Sequence, residues 1–266
     1  MQNMHDFMQV MTRRRCAVQL LSLGLAASLA LPAQAQTFRV AAASNLKFVL
    51  ADLESQFRQK TGQKTEFSLG ASVQLARQIQ QGLPVQLFIS ADEEQVVWLV
   101  QAGLTRDGGQ RYALGRLALI SPKGSGIAVG QGLEVAIKAL KPSDKFAIAN
   151  PQLAPYGRAA QEILQKTSAW PAVQKQLVLG DHIGQATQFV LSGAAPLGIT
   201  AYSLTLAPEA ADKLQVWPVP ANLHAPLPQR LVLLKNAGTQ AVAFRDFLLS
   251  PAAQPTWLRH GYALPQ

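Results

Sequence analysis

The stretch FRVAAASNLKFVLADLESQFRQKTG, Phe38 to Gly62, decides the fold. Phe38-Arg39-Val40-Ala41 reads as a strand. Small residues follow, and from Leu46 to Lys60 the pattern becomes helical. Val49, Leu50, Leu53 and Phe57 recur on one face at helical spacing. Thr61-Gly62 ends the helix, glycine being the usual residue just past a helix C-terminus. Between strand and helix stand Ser44 and Asn45, polar and uncharged. Either they only cap the helix, or they hold a ligand against its N-terminus.

Working outward, the same unit repeats. Lys64 to Leu69 alternates as a strand, Val73 to Gln81 is helical, Val85 to Ile89 is a buried strand, and Glu93 to Ala102 is a helix ending at Gly103. Arg116 to Pro122 is a strand, followed by a loose Gly/Ser stretch. Then come a strand at Phe146–Ala149, a loop over Pro151–Gly157 and a helix over Arg158–Lys166. A strand at Gln176–Leu179, a helix at Gly184–Ser192 and a strand at Leu197–Thr200 continue the series. A proline-rich crossing (Pro218, Pro220, Pro226, Pro228) leads to a strand at Arg230–Leu234 and a helix at Gln240–Leu249. Alternating strands and helices predict an α/β fold with a largely parallel sheet. Arg116–Ser121 and Arg230–Leu234 flank one block and part it from another built of both chain ends. That arrangement suits two lobes hinged by two strands; one doubly wound sheet fits the same pattern.

Residues 1–35 read as an export leader. Arg13, Arg14 and Arg15 precede an apolar run from Ala17 to Leu31, and Ala33-Gln34-Ala35 is an A-x-A cleavage site. The arginines leave the export route open between the general and the twin-arginine pathways. The run is too short and too abruptly ended for a membrane span. Cys16 is the only cysteine, so the mature chain has no disulfides and must be stabilised by its core. Losing Asp6 and three arginines with the leader lowers the formal charge from +9 to +7. The basic residues are scattered, and export excludes nucleic acid as a partner. The charge reads as a solvated surface.

Four loop-to-helix corners follow strands: Ser44-Asn45, Gly70-Ala71-Ser72, Pro155-Tyr156-Gly157 and Asp181-His182-Ile183-Gly184. In open α/β sheets ligands bind at the carboxyl ends of strands. Each helix N-terminus carries unpaired N–H groups and about half a positive charge. Several aimed at one space make an anion site without lysine or arginine. The hydroxyls of Ser44, Ser72 and Tyr156 and the amide of Asn45 would add donors, whereas Ile183 could act only through its N–H. Such a site favours a fully ionised tetrahedral oxyanion. A protonated phosphate would bury an unpaired donor, at a cost of about 1–3 kcal/mol. Taken singly, each corner is equally readable as a cap, a turn or core.

The sequences AAASN (41–45), GASVQLARQIQQGLPVQLFISAD (70–92), APYG (154–157), APLGI (195–199) and FRDFLLSPAAQPTWLRHGY (244–262) resemble the periplasmic molybdate-binding proteins of ABC importers. The resemblance covers residues 37–264. It implies a two-lobed type II periplasmic binding fold, with lobe I over 36–117 and 229–266 and lobe II over 118–228. It implies no enzyme activity and no cofactor. The ligand would be molybdate or tungstate, held by neutral donors from Ser44, Asn45, Ser72, Tyr156 and Ile183. A monomer in the periplasm would deliver it to an ABC permease in the inner membrane. One family pattern places a tyrosine just after the "GI" strand. Here that position is Ala201, with Tyr202 one step late, and it is left out of the site. Another pattern uses an asparagine at the first corner and a tyrosine at the third, which Asn45 and Tyr156 match.

Two other readings compete. Gly70-Ala71-Ser72 faintly resembles a nucleophile elbow of a serine hydrolase, but Gln74 stands where the second glycine belongs. His182, His224 and His260 read as ordinary loop histidines, too well separated for a metal-cation site. A binding protein for sulfate or phosphate would share the fold and differ in cleft size.

Overall fold

The computed structural model describes residues 37–265. The expected leader, with Cys16 and the cleavage point after Ala35, lies outside the described residues. Strand β1 (Phe38–Ala43) buries every residue but Arg39. A single 3-10 turn, Ser44–Leu46, then leads into helix α1 (Lys47–Thr61). The predicted face of Val49, Leu50, Leu53 and Phe57 is the buried one. Gly62 ends the helix at φ 71°, in the left-handed region that glycine enters without strain.

Strand β2 (Thr65–Gly70), helix α2 (Ser72–Gln80), strand β3 (Leu87–Ile89), helix α3 (Glu94–Gln101) and strand β4 (Gln110–Gly115) complete the first half. Arg116 alone separates β4 from β5 (Leu117–Pro122). Next come α4 (Leu133–Lys138), β6 (Phe146–Ala149), α5 (Pro155–Lys166), α6 (Trp170–Val173), β7 (Leu177–Gly180), α7 (Ile183–Leu191) and β8 (Leu197–Ala201). The series continues with α8 (Tyr202–Thr205), α9 (Pro208–Ala211), β9 (Leu214–Pro218), β10 (Leu227–Leu233), α10 (Thr239–Leu249) and α11 (Gln254–Arg259).

These strands form two five-stranded sheets, ordered β2-β1-β3-β10-β4 and β7-β6-β8-β5-β9. In the first, β1 runs parallel to β2 and β3, and β10 is antiparallel to β3 and β4. In the second, β6 runs parallel to β7 and β8, and β5 is antiparallel to β8 and β9. Each sheet thus takes one antiparallel strand, and these are the two strands the sequence had set apart. The chain passes between sheets at Arg116 and again over 219–226. The result is a two-lobed α/β fold.

Three of the differences from the sequence reading have a plain physical reason. Strands β4 and β9 were not expected; β4 is set off from β5 by Arg116 alone, and β9 is a part-exposed edge that ends at Pro218, where the proline-rich crossing begins. Helix α5 begins at Pro155, inside the expected loop, because proline suits the first helical position, where its missing N–H is not needed. His182 is no idle loop histidine: it is half-buried, and its Nδ1 accepts from the Gln185 N–H at 3.1 Å, capping α7.

Both faces of each sheet are covered. In the first lobe the rings of Phe38, Phe57 and Phe67 surround Phe244 of α10, with centroids 5.8, 5.1 and 6.1 Å away. The C-terminal helices are therefore part of the first lobe's core. Among the described residues no helix is long and apolar enough to cross a membrane.

Two outcomes follow from this packing. Phe244→Ala should cost about 3–5 kcal/mol in denaturant unfolding, as for a fully buried aromatic. Burial holds His182 below its ordinary value of 6.5, against the weaker opposing pull of Asp181. The unfolded chain therefore takes up the proton first as pH falls. The cap's contribution is whole above about pH 6.5 and is lost as pH drops through the depressed folded value. His182→Ala should cost about 0.5–2 kcal/mol at pH 8, and the gap to wild type should close on acidification; melting curves against pH check this.

Candidate functional site

The sheet registers bring the four corners together in pairs. Ala43 ends β1 opposite Gly70, which ends β2, so Ser44 and Ser72 leave neighbouring strand ends. Ala149 ends β6 opposite Gly180, which ends β7, so the Tyr156 and Ile183 corners leave neighbouring ends of the other sheet. Contacts across the lobes then join the pairs. The Gly184 N–H donates to Ser44 Oγ at 3.3 Å, and the Val73 N–H donates to the Leu153 carbonyl at 3.3 Å. Asn45 Nδ2 stands 3.5 Å from Tyr156 Oη. All five expected site residues are buried.

Capping does not account for the serines. Ala43 is the N-cap of the 3-10 turn and Ala71 that of α2, and neither Ser44 nor Ser72 makes a side-chain cap bond. Instead, Ser72 Oγ accepts from the Ala91 N–H at 3.0 Å. Tyr156 Oη accepts from Gln229 Nε2 at 2.9 Å and faces Asn45 Nδ2. Three hydroxyl oxygens thus each accept from the protein, and among the described residues none of their protons has an acceptor. Ser72 and Ile183 are each the first residue of a helix, so no intrahelical carbonyl takes their N–H groups. Ile183 contributes nothing else polar. Apart from the amide oxygen of Asn45, what these corners leave unpaired among the described residues are donors.

Beside Tyr156 lies a buried polar network that the sequence reading missed. Asn45 Nδ2 donates to Gln229 Oε1 at 3.2 Å and to Tyr262 Oη at 2.9 Å. Tyr112 Oη donates to Gln229 Oε1 at 2.6 Å and lies 2.9 Å from the Ser90 carbonyl. The Asn45 carbonyl accepts from Ser203 Oγ at 3.0 Å and Tyr262 Oη at 2.9 Å. Asn45 Oδ1 is buried without a partner. A Cβ on Gly115 would stand 2.5 Å from Tyr156 Oη and 2.6 Å from Gln229 Nε2, so only glycine lets the crossing chain pass this close. Burial raises the pKa of Tyr112, Tyr156 and Tyr262, which keeps all three phenols protonated as donors.

Ala201 ends β8, fully buried and without a hydroxyl. Tyr202 does not stand in for it: its ring lies 4.9 Å below the Arg116 guanidinium and against Gly261. Tyr262, from the far end of the chain, brings a hydroxyl to Asn45 instead. No signal short of the fold could have found Tyr262, Tyr112 or Gln229, because their meeting depends on β4, β10 and the C-terminus converging.

The arrangement excludes the hydrolase reading. Ser72 Oγ is bonded to a backbone N–H, while His182 caps α7, His224 Nδ1 meets the Ala225 carbonyl and His260 meets Asp52. Among the described residues no cluster of His, Cys, Asp or Glu could hold a metal ion. Arg158 Nη2 is taken by Asp92 Oδ2 at 2.6 Å and Glu94 Oε2 at 3.3 Å, and among the described residues no lysine or arginine donates to the side chains of Ser44, Asn45, Ser72 or Tyr156.

Comparison with known proteins places the chain in a family. The profile of the bacterial extracellular solute-binding proteins matches residues 38–263. The molybdate-binding protein ModA of Rhodobacter capsulatus is 35% identical over 245 residues, which is 91% of this chain and 94% of the relative. ModA of Azotobacter vinelandii is 36% identical over 239 residues, 89% of this chain and 93% of the relative. The solved periplasmic molybdate-binding protein of Azotobacter vinelandii superposes with a TM-score of 0.77 at 33% identity, covering 86% of this chain and 100% of that one. The sulfate-binding protein SubI from Mycobacterium tuberculosis, 17% identical with a TM-score of 0.69, covers 85% of this chain and 86% of its own and shares the fold alone. With two lobes meeting at donor-lined corners and a profile match from 38 to 263, the chain belongs to the bacterial extracellular solute-binding proteins.

Proposed function

We propose that this binding protein captures molybdate, and also tungstate, for import by an ABC transporter. One observation carries the reading: Ser44, Ser72 and Tyr156 each have an oxygen already accepting and a proton left over. A ligand that only accepts hydrogen bonds completes them, and a tetrahedral dianion has acceptor oxygens on every side. The N–H groups of Ser72 and Ile183 add donors at helix N-termini, where the backbone dipoles favour negative charge. The curated relatives named above are molybdate-binding proteins, which selects molybdate among such anions.

Asn45 belongs to the set in one of two ways. As drawn, its amide hydrogens fix Gln229 and Tyr262 and help to orient Tyr156. A half-turn of the Asn45 and Gln229 amides together leaves Gln229, Tyr262 and Tyr156 paired again. It turns the unpartnered atom of Asn45 from an acceptor into a donor. Tyr156 would then give its proton to Gln229 and Asn45 would serve the anion in its place, so the number of donors stays the same.

Sheet membership supports the lobe boundaries. Strands β1–β4 and β10 belong to lobe I, 36–117 with 229–266, and β5–β9 belong to lobe II, 118–228. The strands run one or two residues past each border. The chain works outside the inner membrane, delivered there by the leader at 1–35, and docks as a monomer on its permease after the lobes close on the anion.

Molybdate and tungstate should each raise the melting temperature, since a ligand at about a hundredfold its Kd adds about 2.7 kcal/mol. Sulfate and phosphate at equal concentration should do little. Calorimetry against all four anions decides: no heat with molybdate defeats the reading, and tight sulfate binding moves it to a sulfate carrier. Ser72→Ala should weaken molybdate binding by about 1–2 kcal/mol. An unchanged Kd would remove Ser72 from the site.

A further inference from the structure

We infer that Arg158 and Asp92 form a latch between the lobes that slows release of the anion without touching it. The inference rests on the capture reading above. Asp92 follows β3 in the first lobe and is only 8% exposed. Its Oδ1 accepts from Ser90 Oγ at 2.9 Å and from the Gln95 N–H at 3.2 Å, at the start of α3. Its Oδ2 is free of those duties and takes Arg158 Nη2 at 2.6 Å, from the second lobe. The carboxylate is thus aimed across the gap by its own lobe before the arginine arrives. Glu94 Oε2, at 3.3 Å from the same Nη2, adds an outer and more exposed contact.

The pair stands next to the anion corners on both sides. Asp92 follows Ala91, whose N–H orients the Ser72 hydroxyl. Arg158 is two residues beyond Tyr156 on the first turn of α5. Closing the lobes therefore makes the ion pair and brings the Ser72 and Tyr156 corners together in one step. Opening them returns both charges to water. Since opening the lobes breaks the pair, it acts more on escape than on encounter. Arg158 is 39% exposed at its side chain, so salt screens the pair and the effect is moderate. Release should consequently depend on ionic strength although the site itself has no charged side chain.

The test uses the mature protein with molybdate as the probe, in wild type, Arg158→Gln and Arg158→Lys. Asp92 is spared because it also supports the start of α3. Stopped-flow displacement should show release about two- to fivefold faster in Arg158→Gln, with a smaller change in the on-rate and Arg158→Lys partly restored. The rise of the off-rate with salt seen in wild type should flatten in Arg158→Gln. In parallel, spin labels on Gln59→Cys and Lys175→Cys, one exposed position per lobe, should report longer mean distances in Arg158→Gln without any anion. An off-rate and salt slope equal to wild type overturn the latch. So does a lowered melting temperature of the anion-free protein with no change in off-rate, which marks Arg158 as structural only. If wild type fails to bind molybdate, the capture reading falls, and the label distances still decide the latch.

Discussion

A hydroxyl proton sealed away from water must find an acceptor or cost about 1–3 kcal/mol. This constraint governs the centre of the molecule. Ser44, Ser72 and Tyr156 are buried, their oxygens are satisfied from within the chain, and among the described residues no group takes their protons. The chain does not relieve the deficit itself, because every corner brings donors. Two serines, a tyrosine and the first N–H groups of two helices face the same need. A guest made only of acceptor oxygens relieves all of them together. Under the capture reading, this is how a binding protein with a basic sequence does without a lysine or arginine at its site.

The surrounding structure fixes the direction of those donors. Tyr156 is held by Gln229 from the strand that returns to the first lobe, and Gly115 leaves room for it where the chain first crosses over. Both chain crossings thus bear on one hydroxyl. Burial keeps the tyrosines neutral, since a phenolate there would accept where the anion needs a donor. Ser44 is oriented by Gly184 of the opposite lobe, so its geometry exists only with the lobes together. Ser72 is oriented by Ala91 of its own lobe and is set in advance. One lobe therefore carries a donor ready before closure, and closure completes the rest.

Much of the fold was legible because it repeats a unit with strong periodicity. The face of α1 and the alternation of strand and helix follow directly from spacing. Strands β4 and β9 were not legible, since β4 runs on into β5 with Arg116 alone between them and the part-exposed β9 leads straight into the proline-rich crossing. Of the proposed site, Ser44, Ser72, Tyr156 and Ile183 could be nominated from the sequence because each sits at a strand-to-helix turn, where ligands on this kind of sheet gather. Their capping alternative could be rejected only once Ala43 and Ala71 were seen as the caps. His182 was misjudged for the converse reason: its capping bond depends on the turn of β7 into α7, which composition does not reveal. Tyr262, Tyr112 and Gln229 lay beyond reach because the fold gathers them from distant strands and the C-terminus.

The central claim is that a neutral, donor-only site takes a fully ionised anion with no proton changing hands. Calorimetry of molybdate binding at pH 8, in two buffers of very different ionisation enthalpy, tests it most directly. The account predicts the same heat in both buffers, hence no proton taken up or released. A heat that changes with the buffer would mean that a titrating group takes part in binding, and would contradict it.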